Sequence, residues 1–236
     1  MNTNVVLYPR REQENHKEYA YRFLRDNILT LNLTPGTLIN EGELSELLNI
    51  SRTPVHEAVM KLRDELLIDV FPQRGSQVSK IDIKTFKEGY FLRYTVETSI
   101  IMEIAGHVSQ ENMELMRDNL ELQRQSAEAG GSVDEFLKLD NAFHQILYYI
   151  SDKPHIWNAV RSVNSHYDRV RYVDAIINFS DLKSFYQEHK KIYYFLLMGV
   201  PSEAELKQFY TGHLGSFQKN FQYILETYPD YFKQML

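Results

Sequence analysis

Cysteine is absent from this chain of 236 residues. Disulfide bonds and thiolate metal sites are therefore excluded, and any metal ion must be held by histidine and carboxylate side chains. Long hydrophobic runs are absent as well, because no segment approaches the roughly 18 apolar residues that cross a bilayer. The first residues, MNTNVVLYPRREQENHKEY, lack the apolar core of a signal peptide. We therefore expect a cytoplasmic protein with no membrane partner.

Glycine is scarce, at 10 residues, whereas segments with apolar residues at helical spacing are long and frequent. This combination predicts a mostly α-helical protein. We expect a flexible arm over residues 1–16, a small mixed domain over residues 17–80, a linker over residues 81–84 and a helical domain over residues 85–236.

The small domain shows two helical segments before its central stretch. The first is an amphipathic helix over residues 17–31, ended by Pro35 and Gly36. The second is predicted from Glu41, with Asn40 as N-cap and Glu43 in the capping-box position. The apolar positions of the two helices are Ala20, Phe23, Leu24, Ile28 and Leu31, then Leu44, Leu47 and Leu48.

The stretch NISRTPVHEAVMKL, residues 49–62, predicts a third helix. With Ser51 as N-cap, Pro54 falls in the first turn, where amides have no intrahelical partner and proline loses nothing. A β-hairpin follows over residues 67–81, around the turn at residues 72–75. The order helix, helix, turn, helix, hairpin is the layout of a winged helix-turn-helix domain. The buried stripe of the third helix is Val55, Ala58, Val59 and Leu62.

Arg52, Thr53 and His56 face away from this stripe, at the end of the helix that meets base edges when such a helix lies in the major groove. Arg74, at the hairpin tip, is placed to reach a minor groove or a phosphate. The alternative is an ordinary surface helix with a few basic residues. Charge favours neither interpretation strongly, since residues 1–80 hold 10 Lys and Arg against 11 Asp and Glu.

From Asp82 onward the pattern is helical throughout, and no strand pattern is found. The long segments predict an all-α bundle with a core of Tyr, Phe and Leu. Helices are predicted at residues 84–107, 111–128, 133–151, 154–178, 180–198 and 201–226, with a short one near 229–235.

Four polar residues of the helical domain form a candidate metal site. Asp140 and His144 are four residues apart on one helix and so share a face. His189 and His213 lie on two later helices, each among apolar neighbours. Three imidazoles and one carboxylate suit zinc first, and also nickel, manganese or iron. The alternative is four unrelated surface or core polar groups, since an Asp-x-x-x-His pair is common.

Residues 33–78 resemble the DNA-binding domain of the GntR family of bacterial transcription regulators. The resemblance rests on PGT, LSELLNISRTPVHEAV and PQRGSQV. It implies that Ser51, Arg52 and Thr53 lie at the DNA, with Arg52 contacting bases, and that Arg74 and Gly75 form the wing tip. Two residues depart from the family pattern. His56 stands where many relatives have arginine, and Gly42 where some have a basic residue.

The helical domain is similar to the FCD ligand-binding domain of the FadR subfamily. The resemblance rests on an R-x-x-x-E pair at Arg93 and Glu97, on DNAFH, and on later EH and HL pairs. It implies a divalent metal bound by Asp140, His144, His189 and His213. It also implies a small carboxylate effector on that metal, with Arg93 and, more weakly, Arg171 as its partners. The Arg93–Glu97 spacing equally fits a surface ion pair.

Three functions fit these patterns. The leading hypothesis is a transcription regulator that binds a palindromic operator in double-stranded DNA as a homodimer and responds to a carboxylate effector. A metal-dependent hydrolase would use the same four ligands, but the sequence offers no general base or nucleophile motif beside them. A protein-interaction module with a structural metal site is the third.

Overall fold

The computed structural model describes residues 5–177 and 182–234, and they form two compact units. The first unit joins the described residues up to Lys87 to Ser165–Val170 and to the residues from Tyr223 on. The second unit comprises Glu88–Asn164 and the described part of Arg171–Gln222. No described helix combines the length and hydrophobicity that a bilayer span requires.

The first unit contains the predicted winged helix-turn-helix. Its helices are α1 (His16–Leu29), α2 (Glu41–Leu48) and α3 (Arg52–Asp64), and its strands are β1 (Leu38–Ile39), β2 (Ile68–Phe71) and β3 (Gly75–Val78). The hairpin β2–β3 is antiparallel, with Phe71 opposite Gly75. The prediction missed β1, which pairs with β3 and makes the sheet three-stranded in the order β1-β3-β2. Two residues are too few to give an alternating pattern.

Helix α3 buries its predicted stripe against α1, and Val55, Ala58, Val59 and Leu62 are all fully buried. The prediction that Leu47 belongs to the apolar face of α2 was wrong, because this side chain is 40% exposed. Ser51 is the N-cap residue of α3, but its side chain accepts no hydrogen bond from the first turn, contrary to expectation. Its hydroxyl is exposed and therefore solvated instead.

The two preceding helices are capped by asparagine. Asn15 and Glu18 form a complete capping box at α1, which the sequence analysis overlooked. The Asn40 side chain accepts from the backbone amides of Gly42 and Glu43. The predicted capping box is incomplete there, since the Glu43 carboxylate accepts from Asn40 Nδ2 and not from the Asn40 backbone amide. Both caps fix where the chain enters a helix that packs against α3.

The N-terminal arm lies against α1 from Val5 onward. The Val6 amide donates to Asn27 Oδ1, and Asn27 Nδ2 donates to the Val6 carbonyl. The Tyr19 hydroxyl donates to the Tyr8 carbonyl. These bonds hold the described part of the arm to a buried face of the first unit.

A buried arginine ties the first turns of helix α8 (Ser165–Ile177) into the first unit. Arg169 Nη1 donates to the Ser79 carbonyl at 2.6 Å, and Nη2 lies 3.0 Å from His166 Nδ1. His166 Nδ1 also accepts from the Asp82 amide at 3.0 Å. Because that nitrogen accepts from both groups, the buried imidazole is held in its neutral form.

The stability of the first unit is expected to fall with acid in a way that depends on His166. Burial lowers the pKa of His166 to about 3, and the charges of Arg169 and Lys233 lower it further than the charge of Asp82 raises it. The unfolded chain takes up this proton from about pH 6.5 downward, so stability present at neutral pH is lost as the pH falls toward 3. We expect about 2 kcal/mol of loss between about pH 6.5 and 5. Urea unfolding of the wild type and His166→Gln at both pH values measures it, and equal pH dependence in the two would contradict it.

The second unit is helical in its described part. Its long helices are α4 (Ile83–Ile104, from Glu88 on), α5 (Gln110–Ala129), α6 (Val133–Ile150), α9 (Leu182–Met198) and α10 (Glu203–Leu214), with α7 (Pro154–Val163) and the end of α8 between them. Two predicted helices were too long. The segment predicted at 154–178 forms α7 and α8, separated at Asn164, in its described part, and the segment predicted at 201–226 forms α10, a 3-10 turn at Ser216–Lys219 and α11 (Phe221–Thr227).

The break at Asn164 carries neither proline nor glycine, and the break after α10 carries a single glycine, Gly215, so the prediction from periodicity ran through both. The predicted helix near 229–235 is a single 3-10 turn at Pro229–Tyr231, and residue 235 lies outside the described residues. The predicted break at residues 178–181 also lies outside them. The break after α5 is real, because Gly130 ends it with a left-handed φ of 69°.

Candidate functional site

The three predicted histidine ligands meet inside the second unit. His144 comes from α6, His189 from α9 and His213 from α10, and each is buried. Each offers one ligand nitrogen, and the three nitrogens lie within 4.8 Å of one another. Asp140 reaches this cluster beside His189, with Asp140 Oδ1 at 3.4 Å from His189 Nε2. The four residues, far apart in sequence, thus converge on one point.

His144 is oriented by a buried ion pair on α4. Arg93 Nε donates to Glu97 Oε1 at 2.8 Å, and Glu97 Oε2 lies 2.8 Å from His144 Nδ1. Burial raises the pKa of Glu97, but its contacts with His144 and Arg93 lower it to about 2. A carboxylate only accepts, so His144 Nδ1 carries the hydrogen and Nε2 keeps a lone pair. The Arg93–Glu97 pair therefore forms, but in the interior and not on the surface.

The other two imidazoles are oriented in the same way. His189 Nδ1 lies 2.6 Å from Gln123 Oε1, and His213 Nδ1 lies 2.8 Å from Glu188 Oε2. Each partner atom is an acceptor, so both Nδ1 atoms donate, and in the neutral tautomer that this requires each Nε2 atom keeps a lone pair. Burial lowers the pKa of His189, which keeps this imidazole neutral.

The Nε2 atoms then face one another without a hydrogen between them. His144 Nε2 and His213 Nε2 are 3.3 Å apart. His189 Nε2 is buried and has no hydrogen-bond partner among the described residues. Lone pairs brought together in a dry interior are costly unless a cation or proton lies between them. The donor set fits a divalent ion held by imidazole nitrogen and carboxylate oxygen.

Both candidate effector arginines point at carboxylates of this site. Arg171, on α8, donates to Asp140 Oδ2, and Arg93 Nη2 lies 4.0 Å from the same oxygen. Burial opposes ionisation of Asp140, but the charge of Arg171 and the contacts with His189 and His144 together outweigh it and hold the pKa of that carboxyl well below its usual value. Asp140 is thus kept anionic, with Oδ1 turned toward His189.

Several residues of this site escaped the sequence analysis. Gln123, on α5, belongs to no motif, and only its contact with His189 reveals it. Tyr148 lies four residues after His144, and Tyr210 lies three before His213, so each shares a helix face with a histidine. Both phenols are buried, and neither hydroxyl has a hydrogen-bond partner in the described part of the chain. The i, i+3 and i, i+4 spacing from a candidate ligand was the signal that could have found them.

In the first unit, the candidate DNA contacts lie together at the start of α3. Ser51, Arg52, Thr53 and His56 are all exposed. The Arg52 guanidinium lies over Gly42, because a Cβ built on that glycine would be 3.4 Å from Arg52 Nη2. Such a Cβ would be in ordinary van der Waals contact with the guanidinium, and its tightest neighbour would be Asn40 Oδ1 at 3.2 Å. His56 Nδ1, in contrast, lies 3.0 Å from a Glu41 carboxylate oxygen.

The hairpin tip presents the wing. Arg74 and Gly75 are exposed, and the Arg74 amide donates to the Phe71 carbonyl to close the turn. Gly75 has a φ of 90°, a conformation that L side chains rarely adopt. The Arg74 side chain is therefore carried by a turn that only glycine closes without strain.

Comparison with known proteins gives the same two parts. Residues 16–78 match the family described as bacterial regulatory proteins, gntR family, and residues 88–207 match the FCD domain. The chain is 31% identical over 217 residues to the HTH-type transcriptional repressor RspR of Escherichia coli, covering 92% of this chain and 93% of that protein. It is 30% identical over 192 residues to the Nta operon transcriptional regulator of Aminobacter aminovorans, covering 81% and 86%.

Solved structures with the same fold are also regulators. The E. coli protein McbR/YncC superposes with a TM-score of 0.71 at 19% identity, covering 91% of this chain and 99% of that one. A protein from Rhodococcus described as a putative transcriptional regulator GntR gives a TM-score of 0.69 at 21% identity, covering 87% and 97%. At these identities the likeness establishes the fold.

Proposed function

Because this chain belongs to the GntR family of bacterial regulators and carries an FCD domain, we propose that a small carboxylate, bound at a divalent metal centre, controls its binding to DNA. Like the named relatives, the protein is a DNA-binding transcriptional regulator. It is not an enzyme. The proposal adds the metal, the effector and a homodimer that reads a palindromic operator in the cytoplasm. Arg52, Thr53, His56 and the wing residue Arg74 are its DNA contacts.

One observation carries the proposal: three buried imidazoles bond acceptor oxygens through Nδ1 and direct their Nε2 atoms at a shared point. The 3.3 Å separation of two such atoms, from His144 and His213, has no favourable explanation without a positive charge between them. Zinc is the first candidate for this set of nitrogen and oxygen donors, followed by nickel, manganese and iron. Asp140 supplies the fourth ligand.

The charges around the site favour an anionic effector. Arg93 and Arg171 balance the carboxylates of Glu97 and Asp140, and Glu188, at the edge of the cluster, adds one negative charge with its side chain 30% exposed. A divalent ion adds two positive charges to this nearly neutral interior. Uncompensated charge in a low-dielectric site is costly, so an anion is favoured beside it.

Carboxylate chemistry suits the remaining groups. A bound divalent ion supplies open coordination positions for carboxylate oxygens. Arg93 and Arg171 offer guanidinium donors, and the buried hydroxyls of Tyr148 and Tyr210 offer neutral ones. An effector held by these groups changes operator affinity only if its affinity differs between the two states of the dimer.

The test begins with operator selection from random double-stranded DNA with purified protein. Operator affinity is then measured with chelator-treated protein, with zinc, and with zinc plus each of a panel of mono-, di- and hydroxycarboxylates. We expect at least one carboxylate to change the affinity by roughly 5- to 150-fold, and only when zinc is present. In His213→Ala the same carboxylate is expected to have no effect. Selective operator binding that ignores every metal and carboxylate combination would overturn the proposal.

A further inference from the structure

Two side-chain amides on α5 form a hydrogen-bonded chain behind the histidine cluster. Asn119 Nδ2 donates to the Leu139 carbonyl at 3.2 Å, and Gln123 Nε2 donates to Asn119 Oδ1 at 2.7 Å. Gln123 Oε1 then lies 2.6 Å from His189 Nδ1. Asn119 and Gln123 are both buried, so water does not compete for these bonds.

The Leu139 carbonyl determines which atom donates and which accepts at each step of these hydrogen bonds. A backbone carbonyl can only accept, so Asn119 must present its NH₂ group to Leu139 and its oxygen to Gln123. Gln123 must then present its NH₂ group to Asn119 and its oxygen to His189. His189 Nδ1 is therefore required to donate, and its Nε2 is left as the free lone pair. Were Gln123 reversed, its NH₂ group would donate to Nδ1, and the hydrogen of His189 would move to Nε2.

We propose that Asn119 and Gln123 are positioning residues that fix the tautomer of His189 so that its Nε2 can bind a divalent metal ion. This inference rests on the proposed metal centre. Neither residue is a metal ligand, because both act through Nδ1 of His189. The hydrogen bonds that run from Leu139 through Asn119 and Gln123 to His189 are called the α5 relay. Leu139 directly precedes Asp140, so the relay links two of the four ligands, Asp140 and His189.

His189 is oriented by two residues in series, Gln123 and Asn119, whereas His144 and His213 are each oriented by one carboxylate. The carboxylates of Glu97 and Glu188 accept whichever way they are turned. A carboxamide accepts at one end only, so Gln123 requires Asn119 to set its direction. An amide also orients His189 without placing a further negative charge in the buried cluster.

The test compares zinc affinity, by competition with a chelator, in the wild type, Gln123→Met and Asn119→Leu. Methionine fills the volume of Gln123 but accepts weakly, so we expect about 10- to 100-fold weaker zinc binding, the range typical for outer partners of metal-bound histidine. Asn119→Leu, which leaves Gln123 free to reverse, is expected to weaken zinc binding by a smaller factor. Gln125→Ala is the matched control, because Gln125 is exposed on the same helix and its side chain donates to Glu121, away from the cluster.

A second readout separates positioning from mere packing. Imidazole ¹⁵N chemical shifts of the metal-free protein report which nitrogen of His189 carries the hydrogen. We expect the Nδ1–H form in the wild type and in Gln125→Ala, and a mixture of forms in Gln123→Met and Asn119→Leu. Zinc affinity and tautomer unchanged in both relay variants would overturn the inference while leaving the metal centre intact. Absence of zinc binding by the wild type would instead overturn the proposed function itself.

Discussion

Replacing Arg52 with alanine is expected to weaken sequence-selective DNA binding strongly. Arg52 lies in the first turn of α3, is exposed, and forms no ion pair with a carboxylate in the part of the chain that the structure describes. A guanidinium that pairs with a guanine contributes roughly 1–3 kcal/mol of discrimination, and a dimer on a palindrome uses two. We therefore expect the operator affinity to fall at least about 30-fold, whereas the weak affinity for unrelated DNA changes little.

Arg63→Ala is the matched control for this experiment. Arg63 lies at the opposite end of the same helix, where it is exposed and paired with Asp64. Its loss removes the same formal charge from the same helix without touching the end that meets base edges. Equal losses of operator affinity in Arg52→Ala and Arg63→Ala would show that general charge, and not base reading, accounts for binding.

Removing any one of the three histidines is expected to empty the metal centre. His144→Ala, His189→Ala and His213→Ala each delete one converging nitrogen and leave the others facing a cavity. Loss of an outer partner of a metal ligand costs about 10- to 100-fold in affinity, so loss of a ligand itself should exceed about 100-fold. Metal analysis of purified protein should then give one ion per chain in the wild type and almost none in the variants.

His155→Ala controls for the loss of an imidazole. His155 is exposed on α7 and is not one of the candidate ligands. It should keep the full metal content of the wild type. Unchanged metal content in the three cluster variants would refute the ligand assignment, and equal loss in His155→Ala would show that the metal is bound elsewhere on the surface.

The four candidate ligands could be named from the sequence because the patterns around them match the FCD family, whereas the spacing alone left unrelated polar groups as an alternative. His144 follows Asp140 by one helical turn, and His189 and His213 sit beside characteristic neighbours in EH and HL pairs. Their convergence could not be derived, since it depends on how α6, α9 and α10 pack. Gln123 was invisible for the same reason, because a glutamine in an amphipathic helix has no pattern until the contact with His189 is known.

The winged domain was more predictable than the helical one. Its turns are marked by proline and glycine, as at Gly75, and the α3 stripe follows a single period. The break at Asn164 carries no such mark, so periodicity merged α7 with α8. Local side-chain choices were also beyond reach. Ser51 was expected to accept from first-turn amides and does not, and His56 turned out to pair with Glu41.

The central claim is that the three imidazoles and Asp140 surround a divalent ion. It is tested most directly by crystals of the zinc-loaded protein, with diffraction data recorded on both sides of the zinc absorption edge. The account predicts one strong anomalous peak per chain, bounded by the Nε2 atoms of His144, His189 and His213 and by Asp140 Oδ1. A zinc-saturated crystal with no peak there, or with its only peaks outside this cluster, would contradict it.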